Sequence, residues 1–413
     1  MNIILERSKR FCGYLVGIVF FVSGVFKLMD PVGTKLIVEE YLKFMHLDFL
    51  SFISMPAAVA VSLTESVLGA ALITGLWRKI TAIITLSAMC VFMLISVALL
   101  VFNPAMDCGC FGEAIHLTHM QTFVKNLVLL ALCCASFFPF SALGRPKKRK
   151  YVAFSFVTAA LVLFGVYSLL YIPVVDFTGY SASARLAASE RHMDNAHFAG
   201  DEYEAVFIYE KDGKTREFSL DDLPDSTWTY VSTETVRKET GGWDESIVTL
   251  PVMDASGESY DYLAVSPKVM VVSVYDADGL SPRKWRALAG FLRSSADSGF
   301  RPLLLAAVSP EKGEGILSSL EQEEGADTGF LREVFYYSDY KTLVSLNRSN
   351  GGATFFADGF LVRKWAFRAL PNENRVAELG KEDPTEPLLS YGTVGNLFFQ
   401  AFFLFCFAVM LLL

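Results

Sequence analysis

Two cysteines one residue apart, Cys108 and Cys110 in Asp107-Cys108-Gly109-Cys110-Phe111-Gly112, are the residues best suited to do chemistry in this chain. Thiols at that spacing can close a short disulfide ring. Such a ring is strained, and strained bridges are the more easily reduced ones. The same thiols could hold a metal, because His116 and His119 complete a Cys-x-Cys-x5-His-x2-His run with two soft and two borderline donors. That spacing matches no common zinc-finger pattern, and His119 can equally open a helix. Three uses therefore stay open: a redox pair, a structural staple and a metal site. The redox reading leads, and no metal ligand is assigned.

Three ionisable residues stand in apolar surroundings, where an unpaired charge is costly and marks a candidate site. Glu65 lies mid-way along Ser62-Leu63-Thr64-Glu65-Ser66-Val67-Leu68-Gly69. Lys27 closes an apolar run, and Lys125, followed by Asn126, opens another. A Glu65–Lys125 or Glu65–Lys27 pair would neutralise both charges and set a polar site beneath the cysteine loop. The plain alternative is an ion pair that fixes helix register. The remaining cysteines, Cys12, Cys90, Cys133, Cys134 and Cys406, read as small apolar packing residues.

The elements that must position these residues are membrane spans. Six stretches carry the ~20 apolar residues that a helix needs to cross a bilayer: 11–29, 55–76, 80–102, 120–141, 151–172 and 393–413. The first follows a basic start but is too long for a signal core and lacks a small-residue cleavage site, so it is expected to be retained. Residues 1–172 hold 14 Lys+Arg against 8 Asp+Glu, and residues 173–413 hold 22 against 36. A basic membrane half thus precedes an acidic, mostly soluble half. Basic clusters at Arg7/Lys9/Arg10, Arg78/Lys79 and Arg145/Lys147/Lys148/Arg149/Lys150 fall in alternate connections, which the positive-inside rule places in the cytoplasm. The loop 30–54, the cysteine loop and the segment 173–392 are then expected outside, in the periplasm of a bacterium, where disulfides persist.

Residues 1–141 resemble the MauE/DoxX group of small four-helix bacterial membrane proteins. The resemblance rests on Val22-Ser23-Gly24-Val25-Phe26-Lys27-Leu28, on Glu65, on the Asp107–Gly112 block, and on Thr122-Phe123-Val124-Lys125-Asn126. It implies a redox-associated membrane protein. MauE-like proteins are tied to maturation of a periplasmic, disulfide-rich dehydrogenase, and DoxX-like ones to quinone-linked oxidation. A quinone between the helices near Glu65 and Lys125 is the cofactor the resemblance implies.

In the acidic half, Tyr203–Tyr209 and Thr215–Leu220 flank Lys211-Asp212-Gly213-Lys214, a hairpin signal, and Leu223-Pro224 with Trp228–Val231 extends it into a small β-rich module. From 269 onward strands and helices alternate. Val269–Val274, Pro302–Val308, Val334–Tyr337, Ala353–Phe356 and Leu361–Trp365 read as strands. Helices are expected from Ser281-Pro282 to Ser295, near 314–323, and from Asp339 to Arg348. This order, with Asp358-Gly359 in the last hairpin, resembles a thioredoxin-like domain. It departs from that family where the chemistry should be. Tyr275-Asp276-Ala277-Asp278 stands where the Cys-x-x-Cys belongs, and Gly351-Gly352 where the cis-proline belongs. No cysteine lies between 135 and 405, so a docking role is expected.

Phosphate-loop, His-Glu-x-x-His and Gly-x-Ser-x-Gly motifs are absent. The basic run 145–150 reads as an anchor on anionic lipid, not a nucleic-acid patch. His192 and His197 fall in a polar linker. The expected fold is a multi-domain membrane protein, an α-helical transmembrane bundle of about six spans plus a periplasmic α/β thioredoxin-like domain. Its divisions are 1–142 (four-helix membrane domain), 143–172 (basic loop and fifth span), 173–248 (linker and β-rich module), 249–392 (thioredoxin-like) and 393–413 (last span). The expected function is inner-membrane thiol–disulfide or electron transfer, with Cys108 and Cys110 reacting, Glu65 handling protons and Lys125 favouring a thiolate. The expected partners are the bilayer and a periplasmic protein. The rival is a non-enzymatic scaffold stapled by Cys108–Cys110, and a Glu65-based permease is a third reading.

Overall fold

The computed structural model describes residues 2–104, 106, 108–138, 147–182, 184–186, 203–211, 214–218, 229–237, 247–321 and 328–412. Asp107, Arg145, the linker histidines, Leu223-Pro224 and Trp228, all named above, lie outside the described residues. The chain divides into two compact units, one of residues 1–187 with 246–413 and one of 188–245.

The membrane part of the larger unit contains α1 (Asn2–Met29), α2 (Pro31–Phe44), α3 (Ser54–Thr74), α4 (Arg78–Phe102), the short strand β1 (Cys110–Glu113), α5 (His119–Phe137) and α6 (Lys148–Leu170). Among the described residues, six helices are long and apolar enough to cross a membrane: Glu6–Met29, Asp48–Thr74, Arg78–Phe102, His119–Phe137, Lys148–Leu170 and Gly392–Leu412. They coincide with the six expected spans, with ends moved by a few residues. The protein is multi-pass. The loop expected at 30–54 is instead largely helical. Asp30 caps α2 by accepting from Gly33 N at 2.9 Å, Pro31 occupies its first turn, and a 3-10 turn covers Asp48–Ile53.

Small residues let α1 and α3 nearly touch. A Cβ on Gly24 would stand 2.4 Å from Ser66 N, and one on Gly69 would stand 2.4 Å from Phe21 N. That approach is how membrane helices gain van der Waals contact in the absence of a hydrophobic drive. It also brings Ser23 and Lys27, on one face of α1, against Glu65 of α3.

One end of this bundle collects the basic residues. Ser136 Oγ donates to the Lys9 carbonyl, Trp77 packs on Tyr151, and Lys150 Nζ donates to the Met410 carbonyl. The basic ends of α1, α4 and α6 therefore gather at one end, and α2 and β1 lie at the other.

The rest of the larger unit is an α/β domain followed by a final helix. Its elements are β2 (Arg185–Leu186), then, after the inserted smaller unit, β6 (Ile247–Val248), β7 (Val269–Val274), α7 (Pro282–Asp297), β8 (Arg301–Ala306), α8 (Pro310–Glu321), α9 (Thr328–Val334), β9 (Phe335–Tyr337), α10 (Tyr340–Leu346), β10 (Gly352–Ala357), β11 (Phe360–Trp365), α11 (Glu373–Lys381) and α12 (Thr385–Leu412). The smaller unit holds β3 (Tyr203–Lys211), β4 (Lys214–Phe218) and β5 (Thr229–Arg237), in the order β4-β3-β5, with Lys211 opposite Lys214 as the hairpin signal predicts.

The large sheet has the order β6-β2-β11-β10-β7-β8-β9. β7, β8 and β9 are parallel, β10 runs antiparallel to β7, and β11 antiparallel to β10. Met270, Val272 and Val274 enter one apolar cluster, Val269 and Val271 the other. A period of two with both sets buried means that both faces are covered. Asp358 and Gly359 take φ of 49° and 80°, the left-handed pair that a tight β10–β11 hairpin needs.

Candidate functional site

Cys108, Cys110, Glu65 and Lys125 all line one cavity of about 230 Å³ among α1–α5, immediately beneath the cysteine turn. Val19, Phe92, Ile95 and Leu99 make its walls apolar, and Lys125, Asn126 and Thr122 supply a polar end.

Glu65 is 5 % exposed and Lys27 7 %. Lys27 Nζ donates to Glu65 Oε1 at 2.7 Å and to Oε2 at 2.9 Å. Lys27 therefore does not snorkel outward, and of the two partners expected for Glu65 it is the one that pairs. Ser23 Oγ sits 2.8 Å from Glu65 Oε2 and 2.6 Å from the Cys110 carbonyl oxygen. Ser23 has one proton for two acceptors, so it donates to the Glu65 carboxylate or to the Cys110 carbonyl, one at a time, and joins α1 to both.

The turn is gripped by α2. Tyr41 Oη, on α2, donates to the Cys108 carbonyl at 2.7 Å. Gly109 holds φ of +61°, and a Cβ there would stand 2.3 Å from Ile37 Cγ2, so only glycine fits between the cysteines.

Both cysteines are free thiols and interact directly. The Cys108 thiol donates to the Cys110 sulfur, so the proton stays on Cys108, and burial adds to that upward shift. Cys110 is held below the ordinary thiol range, first by the bond donated from Cys108 and, against its own burial, by the Lys125 and Lys27 ammonium groups. Lys125 also lies 5.1 Å over the Phe111 ring. The arrangement stabilises one thiolate next to one thiol. The buried Thr122 hydroxyl has no standard hydrogen-bond partner and lies against the Cys108 sulfur.

Of the two loop histidines, His119 stands with Nε2 3.0 Å from the Pro104 carbonyl. Among the described residues no three His, Cys, Asp or Glu side chains gather as a metal would require. Cys12, Cys90, Cys133, Cys134 and Cys406 are likewise free.

Ser23, Tyr41 and Thr122 were not singled out as site residues. Ser23 carried a usable signal, being four residues before Lys27 and so on the same helix face. Tyr41 carried none while its segment read as loop.

At the carboxyl ends of β7–β9, where α/β sheets usually carry their sites, Tyr275 and Asp276 follow β7. Asn350 Oδ1 accepts from both of their amides at 3.1 Å, and its Nδ2 donates to the Asp276 carbonyl at 2.6 Å. That edge is closed by amide bonding and holds no thiol.

No curated protein and no solved structure matches the chain. Residues 203–239 match a domain of unknown function (DUF8463). Residues 4–139, which carry the whole cavity, match the family Methylamine utilisation protein MauE, so this part of the chain is similar to MauE-type membrane domains.

Proposed function

We propose that the chain is a membrane thiol–disulfide component in which Cys108 and Cys110 pass electrons from a protein dithiol into the bilayer. The observation that carries this reading is the pairing of a stabilised Cys110 thiolate with a protonated Cys108, above an apolar cavity with a polar end. In the oxidised state a partner thiolate attacks one sulfur of the Cys108–Cys110 bridge, forming a mixed disulfide and releasing the other sulfur. Cys110 is the better leaving group, because its thiolate is the more stabilised. The partner's second thiolate then attacks the mixed disulfide. The partner leaves oxidised, and Cys108 and Cys110 are left as the dithiol.

Re-oxidation needs a two-electron acceptor. A quinone head group would suit this lining, since Lys125 and the Thr122 hydroxyl could donate to its carbonyl oxygens between apolar walls. When bound, a quinone accepts two electrons and two protons. Lys125 holds the Cys110 thiolate at the cavity, and Glu65, which lines the same cavity, is the group that takes up and gives back protons there. The basic clusters gathered at the far end favour the cysteine turn and the α/β domain outside, in the periplasm, with the N-terminus inside an inner membrane. The family's name further suggests a partner made for methylamine utilisation. The strand order and the two covered faces favour a thioredoxin-like α/β domain without redox chemistry of its own.

The test is the redox state of Cys108 and Cys110 in intact membranes, read by mass-tagged maleimide in a variant keeping only these two cysteines. A bridge that opens with mild reductant and re-forms on adding quinone is expected. A bridge that resists reduction, or thiols that quinone never oxidises, would leave the stapled scaffold as the better account.

A further inference from the structure

The edge of the α/β domain that should be free for ligands is turned onto the chain's own helix α2. Arg348 Nε and Nη2 both reach Asp30 Oδ2, at 2.9 and 2.8 Å, and both side chains are nearly fully buried. Lys35 Nζ donates to Tyr340 Oη at 3.3 Å, Tyr340 packs edge-on against Tyr275, and Lys341 pairs with Glu40 at 2.9 Å. The contacts of Arg348, Tyr340 and Lys341 thus fall on Asp30, Lys35 and Glu40, at the start and on the outer side of α2.

The inner side of the same helix forms the roof of the cavity. Thr34 Oγ1 donates to the Lys27 carbonyl, Ile37 presses on Gly109, and Tyr41 holds the Cys108 carbonyl. Asp30 serves both sides at once, because its Oδ1 caps α2 at Gly33 while its Oδ2 takes Arg348. A second arm runs through β1. Glu113 Oε1 lies 3.9 Å from Arg348 Nη2, and the first residue of that strand is Cys110.

We propose that Arg348 is a positioning residue for the cysteine pair, with the α/β domain clamping α2 and β1 so that the Cys108-Gly109-Cys110 turn is held over the cavity. This rests on the thiol–disulfide reading above and adds a task for the outer domain that needs no external partner. Arg348 touches neither sulfur. It acts through the Asp30 cap, which can persist without it because Gly33 remains bonded.

The experiment follows the pH dependence of Cys110 alkylation in membranes, resolved by mass spectrometry for each cysteine. Cys110 is faced by Ser23 and Lys27 from α1, Tyr41 from α2, Glu65 from α3, Lys125 from α5 and Cys108 in its own turn. In the wild type, half-labelling of Cys110 falls well below that of an ordinary thiol. Arg348→Met should raise its half-labelling point by about one pH unit, a tenfold change in thiolate equilibrium. Arg348→Lys, which keeps a cation facing Asp30 and leaves the cap in place, should shift it less. Tyr41→Phe, which leaves the clamp intact and cuts the inner contact, should shift it in the same direction. An assembled Arg348→Met protein with the wild-type profile overturns the proposal while the thiol–disulfide reading stands. If Arg348→Met fails to assemble, Asp30→Asn decides, because it keeps an oxygen for Gly33 N and removes the charge facing Arg348: a shifted profile supports the clamp, and an unchanged one overturns it. An ordinary thiol profile in the wild type itself overturns both readings.

Discussion

Removing one end of the Lys27–Glu65 pair should damage the protein far more than removing both ends. The two side chains are 9 % and 7 % exposed, and Nζ lies 2.7 Å from Oε1. At an effective dielectric near 20, that separation gives on the order of 6 kcal/mol of attraction. Stripping the water from the two ions costs several kcal/mol each, so the pair roughly breaks even against apolar side chains of similar size. Glu65→Leu leaves the buried ammonium group without its hydrogen-bonded partner, facing the Phe92 ring at 6.0 Å and the Cys110 sulfur. Lys27→Met leaves a buried carboxylate with Ser23 as its one remaining partner. Each single change should cost about 3–5 kcal/mol, and the double change should return to within about 1 kcal/mol of wild type. The assay is reversible unfolding of the four proteins of this cycle in mixed micelles with increasing SDS, followed by far-ultraviolet circular dichroism. A double variant that loses the sum of the two single losses would refute the argument, because it would mean the charges do not depend on each other. The double variant also separates structure from chemistry. If Glu65 only sets helix register, thiol exchange survives in it; proton handling by Glu65 requires that exchange be lost although the fold is kept.

The other predictions concern the cysteine turn and the helices under it. Cys110 should stay alkylatable at neutral pH and lose reactivity as pH falls through about 5, whereas Cys108 should label only slowly in site-resolved mass spectrometry. Because the folded pKa of Cys110 is depressed, its thiolate contributes stability that is complete above the ordinary thiol value of about 8.5 and is lost as pH falls through the folded value, so acid should narrow the unfolding midpoint gap between wild type and Cys110→Ser. Gly109→Ala should cost about 1–2 kcal/mol of left-handed backbone strain, plus the clash with Ile37, and abolish rapid Cys110 labelling. Adding Ile37→Ala should restore only part of that midpoint, since it relieves the clash and not the φ. Gly24→Val should push α1 from α3 and separate Lys27 from Glu65, which detergent gel filtration would register as loss of a monodisperse peak.

Much of this protein was legible along the chain because a bilayer makes stringent demands on sequence. Six long apolar runs, alternate basic connections, and charges as costly as Glu65 and Lys27 inside those runs announce themselves without coordinates. So do turns with one chemical solution, such as Asp358-Gly359. Periods of two in strands and the proline after Ser281 located the α/β elements for the same local reason. Helix α2 escaped notice because it is short and carries Lys35, Glu39, Glu40 and Lys43 among its apolar residues, so no run of span length marks it. Only the fold decided which lysine Glu65 takes, since that depends on the glycine-mediated approach of α1 to α3. Tertiary structure alone also made Cys110 the thiolate. Its neighbours come from α1, α5 and its own turn, and the charges that set a thiol's pKa act through space, whatever their distance along the chain. The seam between Arg348 and Asp30 joins residues more than three hundred positions apart, and no local propensity encodes such a contact.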